Sequence, residues 1–362
     1  METEGPIKRR VTGNSATLTL PSHEESCVVY PIGNEEVVRN AMQENRATIL
    51  NQFVFGNNKR DLSVRSQRQH CKVPSYWLYR DDAAGTQADI CSAQLFAVSG
   101  VATHPVIVDN HHIGFSYEDE NAFHCRLGGV LSSDVHASRT QQTLSVMKRL
   151  EQALMQCGMQ FSDIVRTWFY LDELLDWYDE FNVARTGFFR DSSILDRVLP
   201  ASTGIGLANT AGYALCAGLI AIRPKNRKIQ IQEISSPMQC SACTYRSSFS
   251  RAVEVEFPTH RSLYISGTAS IDSEGGTVYR GDAVRQIEQT MKVVTALLKS
   301  RGMGWEDAFR GIVYYTHPRF PGLFSDHCRE HGIPVFPIAF AYSDVCRRDL
   351  EFEIEMDAVK AT

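Results

Sequence analysis

Two acidic residues near the C-terminus have neighbours that suit chemistry. In Phe352-Glu353-Ile354-Glu355-Met356, apolar and acidic residues alternate. A strand of period two puts both glutamates on one face. A carboxyl group held among apolar neighbours keeps its proton to higher pH and can act as a general acid near neutrality. The same alternation also fits a solvated sheet face, or two carboxylates matched to arginines. Arginines suited to clamping a carboxylated substrate are Arg251, two residues after Phe249, and Arg185, in the stretch that begins at Trp177. Tyr245 lies just upstream of Arg251. For each arginine the plainer alternative is a surface ion pair. Arg347 and Arg348 are adjacent, so a strand would point them to opposite sides. Ser266-Gly267-Thr268-Ala269-Ser270 is a run of small residues. Small side chains let a ligand lie against the backbone, which singles out Gly267 and Ala269. Close packing of a helix on the sheet would ask for the same residues.

Other patterns carry less. Cys240-x-x-Cys243 is a single pair with no second pair at zinc-site spacing. His111, His112 and His124 match no ligand spacing. There is no Gly-x-Gly-x-x-Gly or phosphate-loop pattern. We therefore expect no cofactor and no metal. Trp168, Phe169, Tyr170, Trp177 and Tyr178 read as core aromatics, with stacking on a ring-shaped substrate as the alternative.

The elements that must position these groups occur twice. Gly158-Met159-Gln160-Phe161-Ser162-Asp163, running on to Arg166, resembles Gly302-Met303-Gly304-Trp305-Glu306-Asp307, running on to Arg310, at an offset of 144 residues. At that offset Met147 falls on Met291, Leu154 on Leu298 and Tyr170 on Tyr314. Such self-similarity marks two copies of one unit. Arg166 and Arg310 stand in both copies, which points to a structural role for them. In the second copy, 247–257 and 262–271 read as strands. A helix starts at Asp282, with Ile287, Met291, Val294, Leu297 and Leu298 as its apolar stripe, and Gly302 stops it. A strand over 308–316, a helix over 320–331 and two final strands give the order β-β-α-β-α-β-β. The first copy shows the same skeleton, with helices over 140–157 and 174–189. Pro224-Lys225-Asn226-Arg227-Lys228 suits a boundary. The expected organisation is thus a polar segment over 1–45, a degenerate copy over 46–224 with extra strands, and a better-kept copy over 230–362. The strand-like pieces near Cys91–Gly100 and Pro105–Asp109 find no counterpart in the second copy.

The chain has 362 residues, 43% hydrophobic and 22% charged, which are globular proportions. Its formal net charge of −5 argues against nucleic-acid binding. No apolar run reaches the roughly 18 residues of a membrane span, and the N-terminus lacks the apolar core of a secretory signal. The ten cysteines are scattered, several of them inside apolar runs. That suits a reducing cytoplasm and no disulfide framework.

The repeated glycine–methionine motif after a helix, the hydrophobic strand behind it, and the closing Phe352-Glu353-Ile354-Glu355-Met356-Asp357-Ala358 strand together resemble the reactive intermediate deaminase family, also called Rid or YjgF. A chain of this length with one degenerate copy is similar to the chorismatases, which hydrolyse chorismate. The resemblance covers about residues 110–362. It implies an α+β fold of two tandem units, each a mixed sheet backed by two helices. It also implies a homotrimer with small-molecule sites in the clefts between subunits. Family deaminases hold the substrate carboxylate with an arginine in a Pro-Ala-Arg-Ser strand. The matching segments here, Pro200-Ala201-Ser202-Thr203 and Pro337-Ile338-Ala339, lack it. The chorismatase resemblance makes Glu353, seven residues after Cys346, the group that protonates the enolpyruvyl methylene. Arg251, Tyr245, Gly267, Ala269, Cys346 and Arg185 would then line the substrate site. An imine deaminase with a relocated cation, and a non-catalytic metabolite-binding module, are the alternatives.

Overall fold

The computed structural model describes residues 7–68, 73–80, 92–245 and 247–362. It contains three sheets of one topology. The first unit runs β1 (Lys8–Val11), β2 (Ser15–Thr19), β3 (Glu24–Pro31), α1 (Glu35–Glu44), β4 (Thr48–Gly56), α2 (Lys59–Arg68), β5 (Ser75–Tyr79) and β6 (Ser92–Ser99). The second runs β7 (Thr103–Val108), β8 (His111–Glu118), β9 (Ala122–Val130), α3 (Arg139–Gln156), β10 (Ile164–Leu171), α4 (Leu174–Asp191), β11 (Ala201–Gly206), β12 (Ala208–Asn209) and β13 (Leu215–Pro224). The third runs β14 (Gln230–Ile234), β15 (Ala252–Glu256), β16 (His260–Ala269), α5 (Ala283–Ser300), β17 (Ala308–Tyr315), α6 (Phe320–Glu330), β18 (Ile338–Tyr342) and β19 (Phe352–Ala361). The sheet orders are β1-β2-β3-β6-β4-β5, β7-β8-β9-β13-β10-β11 and β14-β15-β16-β19-β17-β18, with β12 added to the outer edge of the first. In each unit one strand pair, β4–β5, β10–β11 or β17–β18, is parallel.

The expectation of two copies preceded by a polar segment therefore changes. Residues 8–31 open the first sheet, and the stretch up to Ser99 completes a third copy of the unit. Each unit also begins with one more strand than expected, so the order is β-β-β-α-β-α-β-β. The pieces near Cys91–Gly100 and Pro105–Asp109 become β6 and β7, and the counterpart of β7 is β14. The physical reason is that the first unit lacks the usual signals. Its opening strands are half-exposed, α1 buries no residue, and β4 is buried on both faces and shows no alternation.

The repeated motif has a local explanation. Ser138 caps α3 by accepting from the Gln141 N–H, and Asp282 caps α5 by accepting from Arg285. Gly158 and Gly302 then take left-handed φ values of 67° and 65° just past the helix ends. The following methionines are buried. Asp163 and Asp307 accept the backbone N–H groups of Gln160 and Gly304, 2.7 and 3.0 Å away, which turns the chain into β10 and β17.

Each sheet has a helix-covered outer face and an inner face turned to a shared core. Phe352, Ile354 and Met356 pack under α5 and α6 with Leu297, Leu298 and Phe324. The inner core collects Phe53, Phe55 and Tyr76 from the first unit, Trp168 and Tyr170 from the second, and Ile312 and Tyr314 from the third. Rings from different units meet edge to face, such as Phe53 with Trp168 at 5.3 Å. The Tyr170 and Tyr314 hydroxyls, which occupy one position of the repeat, hydrogen-bond to each other at 2.9 Å.

Candidate active site

A bulge at one place in β4, β10 and β17 gives Asn51, Arg166 and Arg310 the same position in their units. Asn51 and both arginines are fully buried. Glu355 meets Arg166 at 2.7 Å, also pairs with Arg310, and accepts from Trp168 Nε1 and the Thr203 hydroxyl. Asp357 pairs with both arginines, at 3.1 Å to Arg166 and 2.5 Å to Arg310. Burial opposes ionisation of Glu355, yet Arg166 and Arg310 hold its carboxyl down to about 2. Glu355 is thus a fixed anion in a structural cluster, matching the arginine-paired alternative in the sequence.

Glu353 lies on the same face of β19 but has a different environment. It is 4% exposed. Among the described residues nothing donates a hydrogen bond to it. Burial, and then the negative charge of Glu355, push its pKa up to about 8, with Arg251 acting the other way. It therefore carries a proton near neutrality. Its carboxyl lies against Gly267, in the bulge where β16 shifts register against β19. A Cβ on Gly267 would stand 2.0 Å from Glu353 Oε1. Glycine is needed here for close approach.

A cleft of about 180 Å³ opens in front of this carboxyl, between the second and third units. Arg251, Arg185, Gly267, Ala269 and Cys346 all line it beside Glu353. Both arginines are buried. Arg251 Nε donates to the Cys240 carbonyl at 3.0 Å, and Arg185 donates to Asn182 Oδ1 at 2.7 Å. Cys346 is half-buried, with its thiol pushed up to about 12 by desolvation first and then by Glu353. It is a neutral wall. The side chain of Tyr245 lies outside the described residues. Arg347 also lines the cleft, tied at 2.8 Å to the Gly275 carbonyl, whereas Arg348 is exposed and pairs with Asp176 at 3.2 Å. The two arginines separate as expected, but in a loop and not in a strand.

Sequence reading missed several residues of the second unit. Ser202 and Gly204 come from β11 and Asn182 from α4. Tyr178, also from α4 and in the cleft, is the aromatic for which contact with a ring-shaped substrate was the stated alternative. The signal was present in Pro200-Ala201-Ser202-Thr203, the segment matched to the family's ligand strand. Of the aromatic pair in α4, Trp177 is core and donates to the Asp172 carbonyl at 2.8 Å, while Tyr178 faces the cleft.

The repeat creates two further clefts, and both are filled. Register places Ser92 and Cys216 where Glu353 stands. Ser92 Oγ bonds the backbone N–H and carbonyl of Phe340, each at 2.9 Å. In front of Cys216, the Tyr76 ring covers Gly218, and its hydroxyl donates to the Leu127 carbonyl at 3.2 Å. A separate cavity of about 60 Å³ sits deeper in the shared core, between Arg126, Glu25 and Tyr264. Its Glu25 is kept ionised, against burial, chiefly by His23. Among the described residues no three His, Cys, Asp or Glu side chains converge to hold a metal ion. No described helix is long and apolar enough to cross a membrane.

No family model matches the chain. A crystal structure of a chorismatase superposes with a TM-score of 0.66, covering 92% of this chain and 98% of its own, at 18% identity. The chain therefore has the chorismatase fold over nearly its whole length, beyond the residues 110–362 that the resemblance covered. The 3-hydroxybenzoate synthase of Streptomyces hygroscopicus is 25% identical over 244 residues, 60% of this chain and 68% of that protein. The E. coli YjgF gene product matches 36% of this chain and 98% of its own, at 18% identity and a TM-score of 0.29.

Proposed function

We propose that the chain is a cofactor-free enzyme of the chorismatase type, acting on a small cyclic metabolite that carries carboxylates and an enolpyruvyl ether. The observation that carries this reading is a protonated, buried Glu353 facing a cleft lined by Arg251, Arg185 and Arg347. The arginines suit the substrate carboxylates. Glu353 then delivers its proton to the enolpyruvyl methylene carbon. The ether carbon becomes an oxocarbenium ion. Water adds there and returns a proton to Glu353. The bond from that carbon to the ring-borne oxygen breaks, which leaves the oxygen on the ring as a hydroxyl and releases pyruvate. Further loss of the ring's other hydroxyl as water gives an aromatic hydroxybenzoate. Chorismate can break down by either route, to a dihydrodiol plus pyruvate with one water consumed, or to a hydroxybenzoate plus pyruvate with none. The names of the similar synthase and chorismatase support chorismate as substrate. The structure's three units in one chain support a site complete within a single chain, with no homotrimer needed. The free thiols among the described cysteines support a reducing, cytoplasmic setting.

The test is incubation with chorismate and a coupled pyruvate assay. Pyruvate release is expected. A folded wild-type protein that leaves chorismate intact would overturn the reading. Arg251, buried and carried by the segment before β15 and not by β11 itself, favours one second reading, an imine deaminase with a relocated cation. That activity would release ammonia from 2-aminoacrylate-type imines and leave chorismate untouched.

A further inference from the structure

The second unit holds a pair of sulfur atoms that the proposed chemistry does not use. Cys125 on β9 and Cys157 at the end of α3 stand Sγ to Sγ at 3.9 Å. Cys125 is 1% exposed and Cys157 is half-buried, so solvent reaches the second and not the first. Among the described cysteines this is the pair whose sulfurs touch. The contact with the Cys125 thiol holds the Cys157 pKa down to about 7, with burial opposing and the Ser116 hydroxyl assisting. The arrangement is an outer thiolate backed by an inner thiol.

We propose that Cys125 and Cys157 are a redox modification site, a dithiol that a hydroperoxide converts to a disulfide through Cys157. The Cys157 thiolate attacks the distal peroxide oxygen, the O–O bond breaks, and the other oxygen leaves as hydroxide and takes up a proton. Cys157 is then a sulfenic acid. Cys125 sulfur attacks the Cys157 sulfur, its proton goes to the departing hydroxide, and water leaves. Two thiols and one hydrogen peroxide give one disulfide and two waters. Both sulfurs lose one electron each. Closing 3.9 Å to an S–S bond of about 2.0 Å takes a side-chain rotation. The product ties β9 to the C-terminal end of α3 and closes the chain segment that contains that helix.

The test treats the intact reduced protein with hydrogen peroxide and maps it by mass spectrometry without reduction. The expected product is a linked peptide pair containing Cys125 and Cys157, reversed by dithiothreitol. The unfolding midpoint should rise by roughly several degrees on oxidation. In Cys125→Ser a sulfenic acid should persist on Cys157 and be trapped by dimedone. In Cys157→Ser, Cys125 should stay a free thiol. Two outcomes overturn the proposal. One is that both thiols still alkylate after the exposed Cys243 has been consumed. The other is that dimedone labels Cys157 as heavily in the wild-type protein as in Cys125→Ser. Mapping of the wild-type protein decides the matter even where a variant fails to fold.

Discussion

Glu353 and Glu355 sit two residues apart on one strand face and differ because of what they touch. Glu355 has two guanidiniums, an indole N–H and a hydroxyl. Glu353 has burial, a glycine against its carboxyl and the fixed charge of its neighbour, with Arg251 acting the other way. A proton donor must be protonated, so pyruvate release should fall as pH rises through about 8. A kcat profile flat to pH 10 would contradict this. Glu353→Gln should lower kcat by roughly a hundred- to ten-thousand-fold. The linkage to stability has a definite sign. Above the ordinary carboxylate range and up to about pH 8, folded Glu353 holds a proton that the unfolded chain has released. Stability therefore declines with rising pH across that window and is flat above it. Glu353→Gln should remove that decline in denaturant titrations taken at several pH values. Removing the anion next door should act on the acid itself. Glu355→Gln should move the alkaline limb to lower pH, because the repulsion that helps keep Glu353 protonated is gone. It should also cost about 3–5 kcal/mol of stability by leaving Arg166 and Arg310 short of a partner. A limb that stays in place in a folded Glu355→Gln protein would show that burial alone sets the acidity.

At the scale of the element, the site depends on a bulge. β16 shifts register between Ile265 and Thr268, and Gly267 inside that shift lets β19 bring Glu353 against the backbone. Gly267→Ala puts a methyl 2.0 Å from the carboxyl oxygen. That contact must move Glu353. The expected result is a kcat loss of at least roughly a hundred-fold, with far less effect on the folded sheet, as read by circular dichroism and thermal unfolding. Full activity in Gly267→Ala would mean that the carboxyl does not work from this position. The bulge also shows what a sequence can and cannot reveal. The run Ser266–Ser270 announced a close approach, and the alternation around Glu353 announced a shared face for the two glutamates. Neither said which glutamate the arginines would neutralise, because Arg166 and Thr203 come from another unit across the core. Helices α3 and α5 were legible because they carry caps, apolar stripes and a stop glycine. The first unit was not, because β4 is buried on both faces and α1 on neither. Its relation to the others lies in strand order and register, which periodicity does not record. Tyr76 reads as one more strand aromatic until the fold lays it over Gly218.

Three copies of one unit around one core produce three candidate clefts, and the chain keeps one open. Ser92 closes one against Phe340, and Tyr76 closes another against Leu127. Other inner positions hold the units to each other. Gln94 Nε2 donates to the Gly311 carbonyl at 3.0 Å, joining the first unit to the third. Arg166 donates to the Ile265 carbonyl at 3.0 Å and pairs with Glu355 and Asp357, joining the second to the third. These side chains are fully buried, and breaking the Arg166 pairs leaves a buried charge without its counter-charge. The units should therefore unfold together. Arg166→Met keeps a long apolar stem in the second unit and strips a cation from two carboxylates in the third. It should lower stability by about 3–5 kcal/mol. It should shift one cooperative calorimetric transition down as a whole, although the altered residue and the carboxylates it served lie in different units. A split trace, with the C-terminal unit melting at its wild-type temperature, would show three domains that merely adjoin. A single lowered transition would show that the inner core makes them one folding unit, and that the open cleft exists only as long as all three copies are folded.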